Sequence, residues 1–353
     1  MRTVSTVVTL LWAVGLIIAP ACGGGEEPEE VRTPLAMATR AAVQPGGATP
    51  PAGTNGWTVL SSGTTHDLWS VYFPEDVTTG YTVGEGGSVL KTTDGGDTWH
   101  EVTSGREAYY LFSIHFPEDA TTGYTVGRGG VMLKTDDGGS TWRQLDSGTE
   151  ADLWSVHFPK DADTGYAVGD GGTILKTTDG GRSWEPQRSG TAVVLYSVHF
   201  PLDADTGYAA GEAGTILKTT DGGKKWTALD AGSAADMRSL HFPVDEVTGY
   251  AVGEGGTILK TVDGGSTWTA QQSGTEMHLR SVCFPGDPST GYAVGWGGVV
   301  LKTSDSGATW SVQTSGATRS LISVHFPVDA DTGYAVGLNG TILRTTTGGT
   351  APE

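Results

Sequence analysis

The chain has 353 residues, 55 of them glycine and 16 proline, with 21 basic against 40 acidic side chains and a formal net charge of −19. No strict Gly-X-Y period runs through it, which excludes a collagen-like fibre, and the acidic balance excludes bulk nucleic-acid binding, because phosphate contact needs clustered Lys and Arg. The glycines fall at fixed places between short apolar runs, the spacing of turns between strands.

Residues 1–22 read as a lipoprotein-type signal peptide. Arg2 gives a short positive start, and Val7 to Ile18 form an apolar run too short for a comfortable membrane span. Ala19-Pro20-Ala21 then leads into Cys22, a small-residue approach that resembles a bacterial lipobox and makes Cys22 the lipidated residue. The expected location is therefore outside the cytoplasm, lipid-anchored in the cell envelope, with membrane contact only through that lipid. Cys283 is the only other cysteine, so no disulfide is expected. Residues 23–55 are rich in Gly, Pro, Ala and Glu and hold few large apolar side chains, the composition of a flexible tether.

From residue 56 onward one phrase recurs. Strand-like starts fall at Leu68, Leu111, Leu153, Leu195, Met237, Leu279 and Leu321, spaced by 43 and then by 42. A Trp closes each phrase, at Trp57, Trp99, Trp142, Trp184, Trp226, Trp268 and Trp310. The seventh unit stops before its Trp strand, while a spare one, GWTVLSSG at 56–63, precedes the first. Each unit reads as four strands, A to D: LWSVHF, YAVG, TILKTT and SWEPQ in the third. Four strands in about 42 residues match a propeller blade. The expectation is an all-β, seven-bladed β-propeller over 56–353, closed by the N-terminal strand completing the last blade. Closure removes sheet edges that would otherwise pair with neighbours.

The element Thr92-Thr93-Asp94-Gly95-Gly96-Asp97-Thr98-Trp99 resembles the Asp-box, or bacterial neuraminidase repeat. Its aspartates are Asp94, Asp137, Asp179, Asp221, Asp263 and Asp305; Lys225 replaces the hydroxyl residue in one box, and Thr347 replaces Asp in the last. The longer phrase F-P-x-D-x-x-T-G-Y-A-V-G-x-G-G-T-I-L-K-T-T-D-G-G-x-T-W is similar to the photosystem II stability/assembly-factor-like repeat family over roughly residues 56–350. That resemblance implies a seven-bladed propeller that binds partners and assists assembly. The family's photosynthetic members carry a basic patch; this acidic chain with scattered Arg does not match it, so photosystem assembly is not carried over.

The Asp-box Asp reads as structural, because a short carboxylate can hold the N–H groups of its own turn. Sialidases share only that box, and the Arg triad and Tyr nucleophile they need are not apparent here. Glu85, Asp170, Glu212 and Glu254 could serve as paired carboxylates of a glycoside hydrolase but nothing distinguishes them. His115, His157, His199, His241 and His325 share one place in strand A, with Tyr72 and Cys283 at the other two; the mixed set reads as packing rather than metal ligation. The A–B loops, such as Asp161-Ala162-Asp163-Thr164-Gly165, hint at calcium but read better as Asx turns. No cofactor and no metal are expected.

Differences between blades concentrate at the D–A loops, the second residue of strand A and the B–C turn. Alternating strand direction puts all three on one face. That face holds Trp69, Phe112, Trp154, Tyr196, Arg238 and Arg280 from strand A, Arg128 and Trp296 from B–C turns, and Tyr109 and Tyr110 from a D–A loop. Aromatic and Arg residues suit a binding surface, and the aromatic run is expected to lie as an exposed arc. The reading is a non-catalytic, monomeric envelope scaffold for a protein, peptide or glycan partner. The alternatives are an Asp-box glycoside hydrolase, sialidase- or xyloglucanase-like, and a purely structural envelope protein.

Overall fold

The computed structural model describes residues 56–105 and 109–350. Seven antiparallel sheets of four strands each are arranged as the blades of a propeller. Strand A of each blade packs against strand A of the blades on either side, so these seven strands surround the central channel. They are Leu68–Tyr72, Leu111–His115, Leu153–His157, Leu195–His199, Met237–His241, Leu279–Cys283 and Leu321–His325, blades 1 to 7 in that order. Blade 7 takes its outer strand from Gly56–Leu60, which pairs with Ile342–Gly349 in the register Thr58 to Arg344 and Leu60 to Ile342. The ring thus closes as the sequence phase predicts.

The repeated letters are the inter-blade contacts. In each unit the Phe of the F-P phrase stacks on the Tyr of the preceding blade's strand B, as Phe116 does on Tyr81 at 4.2 Å and Phe73 on Tyr334 at 3.9 Å. The Trp of the same unit meets that Phe edge-on, Trp99 against Phe73 at 6.1 Å. Aromatic pairs prefer these geometries. The glycine before each Tyr leaves room for the Phe: a Cβ on Gly80 would lie 2.4 Å from the Phe73 ring. The same Tyr reaches forward. Tyr81 donates its hydroxyl to the carbonyls of Ala120 and Gly138 in blade 2, and Lys91 joins it on Gly138 at 2.7 Å. A serine in strand A completes the pattern, accepting an N–H from the next blade at all seven junctions, including Val71 to Ser323 across the seam.

Two of the sequence expectations fall outside the described residues: the signal peptide with Cys22, and the tether at 23–55. A smaller difference concerns strand D. Except in blade 7, the closing Trp lies just ahead of it, so strand D in blade 3 is only Glu185–Pro186. Trp184 is buried against Phe158 instead of pairing in the sheet.

Candidate functional site

Strand A pairs with strand B through a bulge in every blade: Leu153 faces Gly169 and Ser155 faces Val168, leaving Trp154 without a ladder partner. A bulged residue re-aims its side chain. Here the seven bulged residues, Trp69, Phe112, Trp154, Tyr196, Arg238, Arg280 and Ile322, converge from all seven blades on one end of the channel and enclose a cavity of about 90 Å³.

The expected exposed arc is instead a plug. Phe112 stacks on Trp154 at 4.3 Å, Trp69 meets Phe112 at 5.4 Å, and Trp154 meets Tyr196 at 5.6 Å. The Arg238 guanidinium lies 4.0 Å from the centre of the Tyr196 ring, and that of Arg280 lies 6.0 Å from Trp69. Trp69 and Phe112 are buried at 8% and 5% exposure, while Trp154, Tyr196 and Arg280 are half-buried. The reason is geometric: residues spaced around a ring in sequence all point at one axis when the innermost strand carries them. Sequence comparison between blades found these residues, but the bulge that aims them has no signature in the letters.

The B–C turns and D–A loops surround this plug. Glu85 accepts from the Tyr110 hydroxyl at 3.2 Å, Asp170 from the Trp154 indole N–H at 2.7 Å, and Glu212 from the Tyr196 hydroxyl at 3.1 Å. Glu254 and Asp236 both pair with Arg238, at 3.0 and 2.9 Å. Burial, more than any neighbour, pushes the Asp170 carboxyl above its usual range. Arg128 lies over the Tyr110 ring at 5.8 Å, and the half-buried Tyr109 and Tyr110 sit beside it in the D–A loop. Trp296 packs on His278 at 4.2 Å. The four carboxylates weighed as a hydrolytic pair are therefore each committed to a plug or rim side chain.

Three residues further along strand A a second layer lines the channel. Tyr72, His115, His157, His199 and His241 follow one another with ring centres 4.9 to 5.0 Å apart, and His325 returns to Tyr72 at 4.7 Å. His115 and His241 each accept a backbone N–H at Nδ1, from Phe158 and Phe284 in the next blade. Only a neutral imidazole can do so. His199 and His325 bond the next blade's backbone through Nε2. Burial, reinforced by neighbouring imidazoles, holds His115 down to about 3, and burial holds His199 and His325 at about 4. Burial also pushes the Cys283 thiol up to about 11. These four bonds join neighbouring blades.

At the opposite end lie the Asp-boxes. Asp94 accepts the Thr98 N–H at 2.9 Å and its hydroxyl at 2.6 Å, and the Thr92 hydroxyl at 2.8 Å. These bonds, the Thr98 hydroxyl first, hold the Asp94 carboxyl at about 2. Asp137, Asp179, Asp263 and Asp305 repeat the arrangement. Asp221 keeps the Lys225 backbone bond and the Thr219 hydroxyl bond but loses the other hydroxyl, because Lys225 stands where it would be. The A–B loops form Asx turns, Asp161 accepting the N–H groups of Asp163 and Thr164 at 3.0 Å.

A wider, open cleft of about 600 Å³ lies at the rim of blade 5. Its walls are Gly, Ser, Thr and Gln with Ile258, Leu259 and Ala270, and Glu276 is the one ionisable side chain, so it carries less chemistry than the plug.

Comparison with known proteins follows the same lines. The model of the family described as photosynthesis system II assembly factor YCF48 matches residues 49–148, 140–234 and 233–317. No curated protein matches the sequence. Among solved structures, YCF48 bound to a D1 peptide superposes with a TM-score of 0.70 at 21% identity, covering 87% of this chain and 100% of that one. YCF48 from Cyanidioschyzon merolae gives 0.67 at 21% identity, covering 82% and 98%. A GH74 enzyme from Niastella koreensis gives 0.68 at 18% identity, covering 82% of this chain but 53% of its own. At these identities the structures show a shared fold.

Proposed function

The chain belongs to the photosynthesis system II assembly factor YCF48 family, and from that premise we propose that it is a non-catalytic binding module that holds a protein or peptide partner on the end of the propeller bearing the D–A loops and B–C turns. The observation that carries this reading is where variation falls. Six Asp-boxes, the Phe–Tyr stacks and the strand A serines repeat around the ring, whereas the plug and its rim differ from blade to blade. A scaffold needs repetition; recognition needs difference. A YCF48 structure bound to a D1 peptide supports a peptide or protein over a glycan. The net charge of −19 gives no reason to carry the D1 partner itself across.

The commitment of Glu85, Asp170, Glu212 and Glu254 to neighbouring side chains favours binding over glycoside hydrolysis. The chain also spans only about half of the GH74 enzyme, 53%. We place the protein in the bacterial cell envelope, tethered through lipid on Cys22. Labelling cells with a fatty-acid analogue should mark the wild type and not Cys22→Ser; equal labelling removes the anchor from the proposal.

Partner capture is best tested at the rim, because the plug is packed. Full-length protein and a Tyr110→Ala/Arg128→Ala variant would be used as bait on solubilised envelope. The expected result is a specific partner lost at least about tenfold in the variant, with the melting temperature unchanged. Equal capture by both would move the site off this face. Capture of nothing specific by the wild type would favour the purely structural reading.

A further inference from the structure

Blades 3, 4 and 5 answer the polar group at the bulge from within the same blade, sixteen residues on: Trp154 by Asp170, Tyr196 by Glu212 and Arg238 by Glu254. Blade 6 breaks the rule. Its bulged residue is Arg280, and sixteen residues on stands Trp296, whose indole can donate but not accept. Among the described residues Arg280 makes no hydrogen bond and no ion pair; its one close partner is the face of Trp69. The nearest acid in the sequence pattern, Glu254, is already held by Arg238. Burial and the Arg238 charge lower the Arg280 guanidinium to about 10, which leaves it cationic at neutral pH. Arg280 is half-buried, its nitrogens are not sealed off, and the nearby Glu254 charge is shared with Arg238, so the guanidinium keeps donors open to a ligand.

The Trp69 indole N–H, buried without an acceptor like those of the seven closing Trp residues, presents no open donor to the cavity, and that of Trp154 is satisfied by Asp170. The cavity these residues share, about 90 Å³, has room for a small ligand group. The ring of rim acids is also interrupted beside Arg280, where blades 6 and 7 present Trp296 and Leu338. An anion approaching there meets no carboxylate at those two turns.

We propose that the channel mouth is a binding site for one carboxylate group, paired with Arg280 and brought in by a small aliphatic acid of acetate or propionate size. Guanidinium and carboxylate match as a planar, charge-assisted pair. The apolar walls, Phe112, Ile322 and the Trp69 ring, suit a short hydrocarbon stem. The site lies on the face proposed for partner binding but its test needs no partner. The same chemistry could be presented by the terminal carboxylate of a chain, and the experiment separates the two sources.

Isothermal titration of the full-length protein would use propionate in one arm and a short alanine-terminated peptide, free or amidated at its C-terminus, in the other, with sodium chloride at matched ionic strength as control. Saturable binding of propionate is expected; binding of the free peptide alone would reassign the carboxylate to a chain terminus. Arg280→Leu should weaken binding at least about tenfold. Trp296→Glu should do the same while keeping Arg280, because it restores to blade 6 the acid that blades 3 to 5 possess. That second variant carries the test if Arg280→Leu fails to fold, with its melting temperature as the check. Absence of binding beyond the chloride control by the wild type, in both arms, overturns the proposal. So does binding retained by a folded Trp296→Glu. Loss of partner capture in the rim variant would leave this result untouched, and the reverse also holds.

Discussion

Ala213, Ser306 and Asn339 adopt φ of 52°, 58° and 57°, at turn positions where other blades place Gly86 or Gly95. Asn tolerates the left-handed region through its short polar side chain, whereas Ala has nothing to offset the close approach of its Cβ. Ala213→Gly is therefore expected to stabilise the protein by up to about 1 kcal/mol, read as a raised midpoint in denaturant titration. An unchanged or lowered midpoint would mean that glycine's extra freedom in the unfolded chain cancels the relief. The same scale shows what one letter does in an Asp-box. Lys225 removes one hydroxyl bond that Asp94 and its equivalents enjoy, and the Asp221 carboxyl is depressed first by the Lys225 backbone N–H, with the Thr219 hydroxyl also lowering it. These substitutions were visible in the sequence because six other units stood beside them for comparison.

Strand by strand, the seam is where stability is concentrated in one short segment. Gly56–Leu60 supplies the outer strand of blade 7, and Trp57 within it is 3% exposed, edge-on to Phe326 at 6.0 Å and to Tyr292 at 6.4 Å. Removing residues 56–63 takes away this strand; Trp57→Ala alone is expected to cost roughly 3–5 kcal/mol. Thermal melts should show a large loss for either change and almost none for deletion of 23–50. Equal melting temperatures would mean the seam contributes little. The four strands per blade and the closing partner were legible because period and phase are properties of spacing. The bulge at the second residue of strand A was not, since the identity of Trp69 or Arg238 says nothing about whether the residue sits in the ladder or beside it. That single backbone feature turns an expected surface arc into a packed plug.

Taken whole, the ring has an axis made of ionisable side chains held neutral. His115, His199 and His325 lie at about 3 to 4 when folded, and His157 and His241 well below their ordinary 6.5. Between about pH 4 and 6.5 the unfolded chain thus binds protons the folded chain refuses, so stability is full above 6.5 and falls as the pH drops. Tyr72 and Cys283, the other members of the layer, stay neutral throughout that window, burial having raised them to about 12 and 11. Melting temperature should decline steadily from pH 7 to pH 4.5, and a His115→Gln/His157→Gln variant should flatten the decline. A wild-type profile already flat over this range would show that the layer is hydrated enough to charge freely. Below pH 4 a second loss follows, because Asp94, Asp137, Asp179 and Asp305 are held near 2 and surrender their bonds as they protonate. The clustering of the histidines was plain from the repeat; their neutrality depends on how narrow the channel is, which no spacing reveals.

The degenerate last Asp-box acquires a reason from the seam. In the other blades the carboxylate ties itself to a residue four places ahead, as Asp94 does to Thr98. In blade 7 the turn is cut: Gly349 occupies the place of Gly96, and the chain that continues to the closing Trp is Gly56-Trp57, almost three hundred residues earlier. Thr347 instead closes a turn with Thr350, each hydroxyl donating to the other's backbone carbonyl at 2.6 Å. The ring is in this sense indifferent to where it is opened. A circular permutant that splices Thr350 to Gly56 through a two-residue link, carries Thr347→Asp, and begins instead between Asp263 and Trp268 should fold to the same propeller, with the orphaned box now in blade 5.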